Sequence, residues 1–176
     1  MKNVTKLLIA MIAVVSLPAA AGTLNPNNAI KGSGQIYRVI DGDTLLVTFD
    51  DRGIYKNLKS KTTSKKEQSH FNDKYGTVKF RLGNVNTAES VHTDASKNSA
   101  EGKVASNYVK SAWEKKKVNF VCWDFGHYGR AICSVSYNGL DLGVDLIRKG
   151  YSDYEYKWGK HPFTHKAYMN EMQKRR

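Results

Sequence analysis

Gln35-Ile36-Tyr37-Arg38-Val39-Ile40-Asp41-Gly42-Asp43-Thr44-Leu45-Leu46-Val47-Thr48-Phe49 is the stretch from which the fold can be read. Ile36 to Ile40 and Leu45 to Phe49 are rich in β-branched and aromatic residues, as strands are. Asp41-Gly42 between them is a strong short hairpin signal, which makes Asp43 the first residue of the second strand. Working outward, Val78, Phe80 and Leu82 alternate with Lys79 and Arg81, the period of a half-buried strand with Arg81 on its polar face. Val118 to Trp123 and Arg130 to Tyr137 are two more strands around a loop, in which Phe120 and Cys122 share one face and Cys133 and Val135 another.

Helical signals separate and follow these strands. From Lys97 to Trp113, Ala100, Val104, Tyr108 and Ala112 recur at i+4, joined by Ala105, Val109 and Trp113, so an amphipathic helix is predicted. Asn138-Gly139 marks a turn, and Asp141 to Lys149 reads as a short helix stopped by Gly150. Tyr151 to Trp158 reads as extended, and His161 to Lys174 as helical with Pro162 in its first turn. Five short strands with helices between them point to a small barrel rather than a parallel sheet. The predicted class is α+β, mainly β: a five-stranded OB-type barrel with about three helices.

The ends and one internal segment read differently. Lys2 and Lys6 form a basic stretch before an apolar run from Leu7 to Leu17, followed by Ala19-Ala20-Ala21. That run is too short to span a bilayer, so residues 1–21 are expected to be a cleaved signal peptide, leaving no membrane span and a periplasmic or secreted product. Residues 22–33 are rich in Asn, Gly and Ser and are expected to form a flexible arm. Residues 50–76 are dominated by lysine, serine and threonine and are expected to be an exposed basic loop inside the 34–176 domain. Such a loop is either a tolerated surface insertion or an arm that contacts nucleic acid.

The net charge is +12, and +10 once the two lysines of the leader are removed. A charge of that size attracts polyanions, with nucleic acid the first partner and an anionic envelope surface the alternative. Cys122 and Cys133 are the two cysteines. An oxidising compartment favours a disulfide between them, the alternative being two buried thiols, and their spacing excludes a Cys-x-x-Cys redox site.

Several residues are of the types that a metal-assisted attack on a phosphodiester would need. Asp41 and Asp43 lie at the hairpin tip, and Asn86, Thr87 and Glu89 on the loop after the next strand. Oxygen donors of this kind suit a hard divalent cation. Arg81 and Arg130 suit phosphate, because the guanidinium fork matches its oxygens. The motifs Val39-Ile40-Asp41-Gly42-Asp43-Thr44, Phe80-Arg81-Leu82, Asn86-Thr87-Ala88-Glu89, Tyr128-Gly129-Arg130-Ala131 and Leu146-Ile147-Arg148-Lys149-Gly150 occur in order. Together they resemble the staphylococcal nuclease-like (thermonuclease) family, from about Gly34 to Trp158 except for residues 50–76.

The resemblance implies an OB-type barrel and calcium-dependent endonucleolytic cleavage of DNA and RNA, with the phosphate left on the 3′ side of the cut. It implies that Asp43 is a direct Ca2+ ligand, with Asp41 in a water-linked supporting role. Asn86 would take a ligand position and Thr87 would offer its carbonyl. Glu89 would orient or deprotonate the attacking water, and Arg81 and Arg130 would hold the phosphate. Tyr128, His127, Tyr156 and Trp158 would contact the nucleic acid, the aromatics by stacking. Three departures stand out. Asn86 replaces the family's usual aspartate, Ala88 a usual proline, and His127 a frequent lysine. Loss of the aspartate's charge keeps a second reading open, a non-catalytic nucleic-acid-binding barrel with a degenerate metal site. In either case a monomer is expected.

Overall fold

The computed structural model describes residues 23–91, 94, 96 and 98–175. The expected signal peptide lies outside them, as does Lys97 at the expected start of the first long helix. The strands are β1 (Ile30–Asp41), β2 (Thr44–Phe49), β3 (Phe71–Asn72), β4 (Thr77–Leu82), β5 (Lys117–Phe125), β6 (Ala131–Tyr137) and β7 (Leu140–Asp141). The helices are α1 (Arg52–Ser60), α2 (Lys65–Gln68), α3 (Ala100–Trp113), α4 (Leu142–Lys149) and α5 (His165–Lys174).

Sheet order is β3-β4-β2-β1-β5-β6-β7, and a parallel pairing of β4 with β6 joins the two ends. That pairing closes β1, β2, β4, β5 and β6 into a five-stranded barrel, as the sequence reading expects. Closure leaves none of the five with a fully open edge. The inward positions are apolar: Ile36, Leu45, Val47, Val78, Phe80, Cys133 and Val135 are all buried. β1 is long enough to serve two neighbours. Its first half pairs with β5 and its second half with β2. Cys122 and Cys133 face each other across β5 and β6 and form a disulfide.

The structure corrects several expectations. Residues 22–33 are not a loose arm where they are described. Leu24 is buried, Asn25 caps a short 3-10 turn, and β1 starts at Ile30, opposite Cys122. Despite the polar composition, Leu24 and Ile30 join the core and the ladder bonds of β1 to β5 hold the rest. Gly42 and Asp43 are the turn residues, so Asp43 precedes β2 rather than beginning it.

Residues 50–76 are not a loop either. Asp51 caps α1 by accepting from Gly53 N, and Ser64 and Glu67 form a reciprocal capping box on α2. Tyr55 and Leu58 are buried in the main core, and Phe71 pairs opposite Val78. The segment is therefore a folded extension of the barrel, and it raises the number of α-helices among the described residues to five. Along α3 the buried side is Gly102, Ala105, Val109 and Trp113, while Val104 is exposed. The run 151–158 is not a strand, since only Tyr154 bridges to Val85. Helix α5 begins after Pro162, at His165. No helix among the described residues is long and apolar enough to cross a membrane.

Candidate nucleic-acid and phosphate site

The site lies where the β1–β2 turn, the loop after β4 and the start of β6 meet. Asp43 follows Gly42 in the turn and is buried. Its Oδ1 accepts from Thr44 Oγ1 at 3.0 Å, and its Oδ2 from Thr87 N at 3.0 Å. Arg81 pairs opposite Thr44 in the β2–β4 ladder, which delivers its guanidinium to the same carboxylate. Arg81 Nη2 lies 3.1 Å from Asp43 Oδ2. That same nitrogen donates to Asn86 Oδ1 at 2.9 Å, while Nη1 donates to the carbonyls of Leu82 and Val85. Arg81 thus shapes the loop that carries Asn86, Thr87 and Glu89.

Arg130 arrives from the other side, just before β6. Its Nη1 donates to Thr44 Oγ1 at 2.8 Å, so one hydroxyl links Arg130 to Asp43. Burial first, then the charge of Arg81, pull the pKa of Arg130 below the ordinary arginine value, with Asp43 and Glu89 opposing. Arg81 on the Asp43 carboxylate and Arg130 on the adjacent Thr44 hydroxyl thus bring two guanidinium groups to one place, a pairing whose forked donors match the oxygens of an anion.

Asp41 has a different setting. Its Oδ1 accepts from Gly42 N, Ser90 Oγ and Ser106 Oγ, at 2.8, 2.7 and 2.6 Å. Burial raises its pKa, but these hydrogen bonds outweigh burial and hold it below the usual carboxylate range. Asp41 joins the turn to α3 instead of sharing the Asp43–Arg81–Asn86 cluster. Glu89 is exposed and lies within electrostatic reach of Arg130. Its backbone abuts α3: a Cβ on Gly102 would come within 2.2 Å of Glu89 O, so the close approach needs glycine there.

A groove of about 790 Å³ runs from this cluster past Arg81, Asn86, His127, Tyr128, Arg130 and Trp158. Tyr128 and Trp158 are exposed by 65% and 89%, which leaves both rings open to stacking. Tyr156 is half-exposed and packs on buried Tyr154, with ring centroids 5.2 Å apart. Asn84 anchors the aromatic segment. It takes a left-handed backbone conformation, and its Nδ2 donates to the carbonyls of Glu155 and Gly159.

The residues offer a hard cation oxygen donors only: the Asp43 carboxylate, the Asn86 amide oxygen and the Thr87 carbonyl. Among the described residues no three of His, Cys, Asp and Glu come together in a way that could hold a metal. Oxygen donors of this kind suit a hard divalent cation, and of these three only Asp43 carries a charge.

The sequence reading missed four contributors. Thr44 links Asp43 to Arg130, Ser152 Oγ accepts from Asn86 N, and Ser90 and Ser106 hold Asp41. Only Thr44 carried a signal, its place in the quoted hairpin. Ser90, Ser106 and Ser152 are brought in by tertiary contacts that no local pattern marks.

A family profile described as staphylococcal nuclease homologue matches residues 79–175. The match spans β4 to α5, with Arg81, the Asn86–Glu89 loop and Arg130, and begins after the Asp43 turn and the 50–76 segment. No curated protein matches the chain in a sequence comparison. The profile covers more than half of the chain, including β5, β6 and the residues that line the groove, and the chain therefore belongs to the staphylococcal nuclease homologue family.

Proposed function

We propose that the protein is an exported, monomeric, calcium-dependent endonuclease. It hydrolyses phosphodiester bonds in DNA and RNA with little sequence specificity. The observation that carries this reading is the convergence of Arg81 and Arg130 on Asp43 and Thr44, at the head of a groove with exposed aromatic rings. Exposed rings stack on bases of any identity, and arginines grip the backbone. Neither contact reads sequence or distinguishes the two sugars.

In the reaction, Arg81 and Arg130 bind the non-bridging oxygens of the scissile phosphate. They stabilise the added negative charge as phosphorus becomes five-coordinate. Glu89 orients a water and takes its proton as the oxygen–phosphorus bond forms. The bond to the 5′ oxygen breaks, that oxygen takes a proton from solvent, and the phosphate stays on the 3′ side. Asp43, Asn86 and the Thr87 carbonyl would hold the calcium ion, which would supply charge stabilisation at the phosphoryl oxygen. Asp41 keeps the turn fixed against α3. Export is supported by the leader-like residues 1–21 and by the Cys122–Cys133 disulfide, a bond typical of oxidising compartments.

The single-carboxylate cation site favours one rival, a binding barrel that no longer cuts. Purified protein incubated with plasmid DNA and with RNA, in calcium or in chelator, separates the two. Calcium-dependent fragmentation supports the nuclease. Folded protein that binds DNA in a salt-sensitive way but leaves it intact at every calcium concentration establishes the rival.

A further inference from the structure

The 50–76 segment docks on the loop that presents Arg130. Lys66 Nζ donates to the carbonyl of His127 at 2.7 Å, and His70 Nε2 lies 2.8 Å from the carbonyl of Tyr128. Between those contacts the backbone of Lys66 occupies the space a Cβ on Gly129 would need, with the nearest atoms at 2.9 Å. Gly129 also has φ +79°, so glycine is required twice over. Within itself the loop makes only a tight turn, Gly126 N to Arg130 O and Gly129 N to Gly126 O. The carbonyls of His127 and Tyr128 are the ones that the segment satisfies.

We propose that the 50–76 segment positions the phosphate-holding arginine, with Lys66 and His70 as its positioning residues. A long side chain on a projecting turn holds a phosphate well only if the turn itself is held. The segment is fixed to the barrel by buried Tyr55 and Leu58, so rigidity passes from the core through α2 to the loop. Lys66 Nζ also lies 5.3 Å from the centre of the Tyr128 ring, and the Arg130 guanidinium 5.9 Å from it. Both cations thus lie within cation–π reach of the ring. Burial, then nearby Lys79, Arg130 and Lys66, keep the His70 pKa low despite its bond to Tyr128 O. His70 is then a neutral imidazole whose Nε2–H donates to that carbonyl.

The proposal rests on the reading of the groove as a nucleic-acid site. The test is a mutant cycle on affinity for a short fluorescein-labelled oligothymidylate in chelator, where no cutting interferes. His70→Leu is expected to weaken binding about tenfold in the parent, but by less than about twofold when Arg130 is already alanine. His70→Gln keeps an N–H donor and is expected to restore most of the affinity. A purely structural role would give equal losses in both backgrounds, and that result, or no loss in the parent, overturns the proposal. Should His70→Leu not fold, exposed Lys66→Met carries the same cycle. Its loss must shrink in the Arg130→Ala background, and an equal loss in both overturns the proposal. A parent protein with no salt-sensitive binding at all removes the nucleic-acid reading and this inference together.

Discussion

Asn86→Asp is the most informative single change. Asn86 Oδ1 already accepts from Arg81 Nη2 at 2.9 Å, and the same nitrogen lies 3.1 Å from Asp43 Oδ2. A carboxylate at position 86 would therefore form without rearrangement and double the anionic charge facing a bound cation. At a contact distance of about 2.4 Å, a unit charge attracts a divalent cation by roughly 3.5 kcal/mol even at the dielectric constant of water. Pairing of the new charge with Arg81 offsets about 1 kcal/mol, and desolvation more. What remains is about 1.4 kcal/mol, or a tenfold gain in calcium affinity.

Calorimetric calcium titration and cleavage rates across calcium concentrations measure that gain directly. The half-saturating calcium concentration should fall by about one decade, and the rate at limiting calcium should rise. In chelator the same change should weaken oligonucleotide binding, because it adds negative charge to the groove. Opposite signs with and without calcium are difficult to produce by a general change in stability. A folded variant whose calcium dependence matches the parent's would refute the placement of Asn86 at the cation.

Three further outcomes follow from the packing. Leu58→Ala removes a fully buried side chain of the 50–76 segment and should cost about 2–5 kcal/mol, read as a lower urea midpoint; no change would mean that the segment does not share the core. Loss of the Cys122–Cys133 disulfide, by reduction or by Cys→Ala at both positions, should cost about 2–3 kcal/mol and lower Tm, and mass measurement with and without reduction checks the bond itself. His161 is buried, with Nδ1 accepting from Phe163 N and Thr164 N, and its pKa is lowered to about 4, chiefly by burial. The folded state then binds fewer protons than the unfolded state, so this contribution is full above about pH 6.5, falls as pH drops towards 4, and amounts to roughly 3 kcal/mol at most. Urea melts of the parent and of His161→Gln at pH 7 and pH 4 should show the smaller loss in the variant.

Much of the barrel is legible along the chain because strands and turns are local. The alternation of Val78, Phe80 and Leu82, the hairpin around Gly42 and the stop at Gly150 each follow from a few neighbouring residues. The capping box Ser64-x-x-Glu67 was equally local. It was obscured by the lysines around it, so α1 and α2 read as loop. On α3 the apolar positions form too broad a stripe, and only contact with the barrel selects Ala105, Val109 and Trp113 over Val104.

By itself, then, the sequence determined the five barrel strands in outline, helices α3 to α5, the order of the motifs and the residue types available for chemistry. These depend on backbone preference and on the spacing of apolar side chains over one or two turns. Only the tertiary structure decided that β4 pairs with β6 to close the barrel, that Asp41 turns to Ser90 and Ser106, and that Arg81 is shared by Asp43 and Asn86. It alone decided that Lys66 and His70 brace the Arg130 loop, some 60 residues away in the chain. Such contacts join distant segments through packing and hydrogen bonds, whose geometry exists only once the barrel has closed.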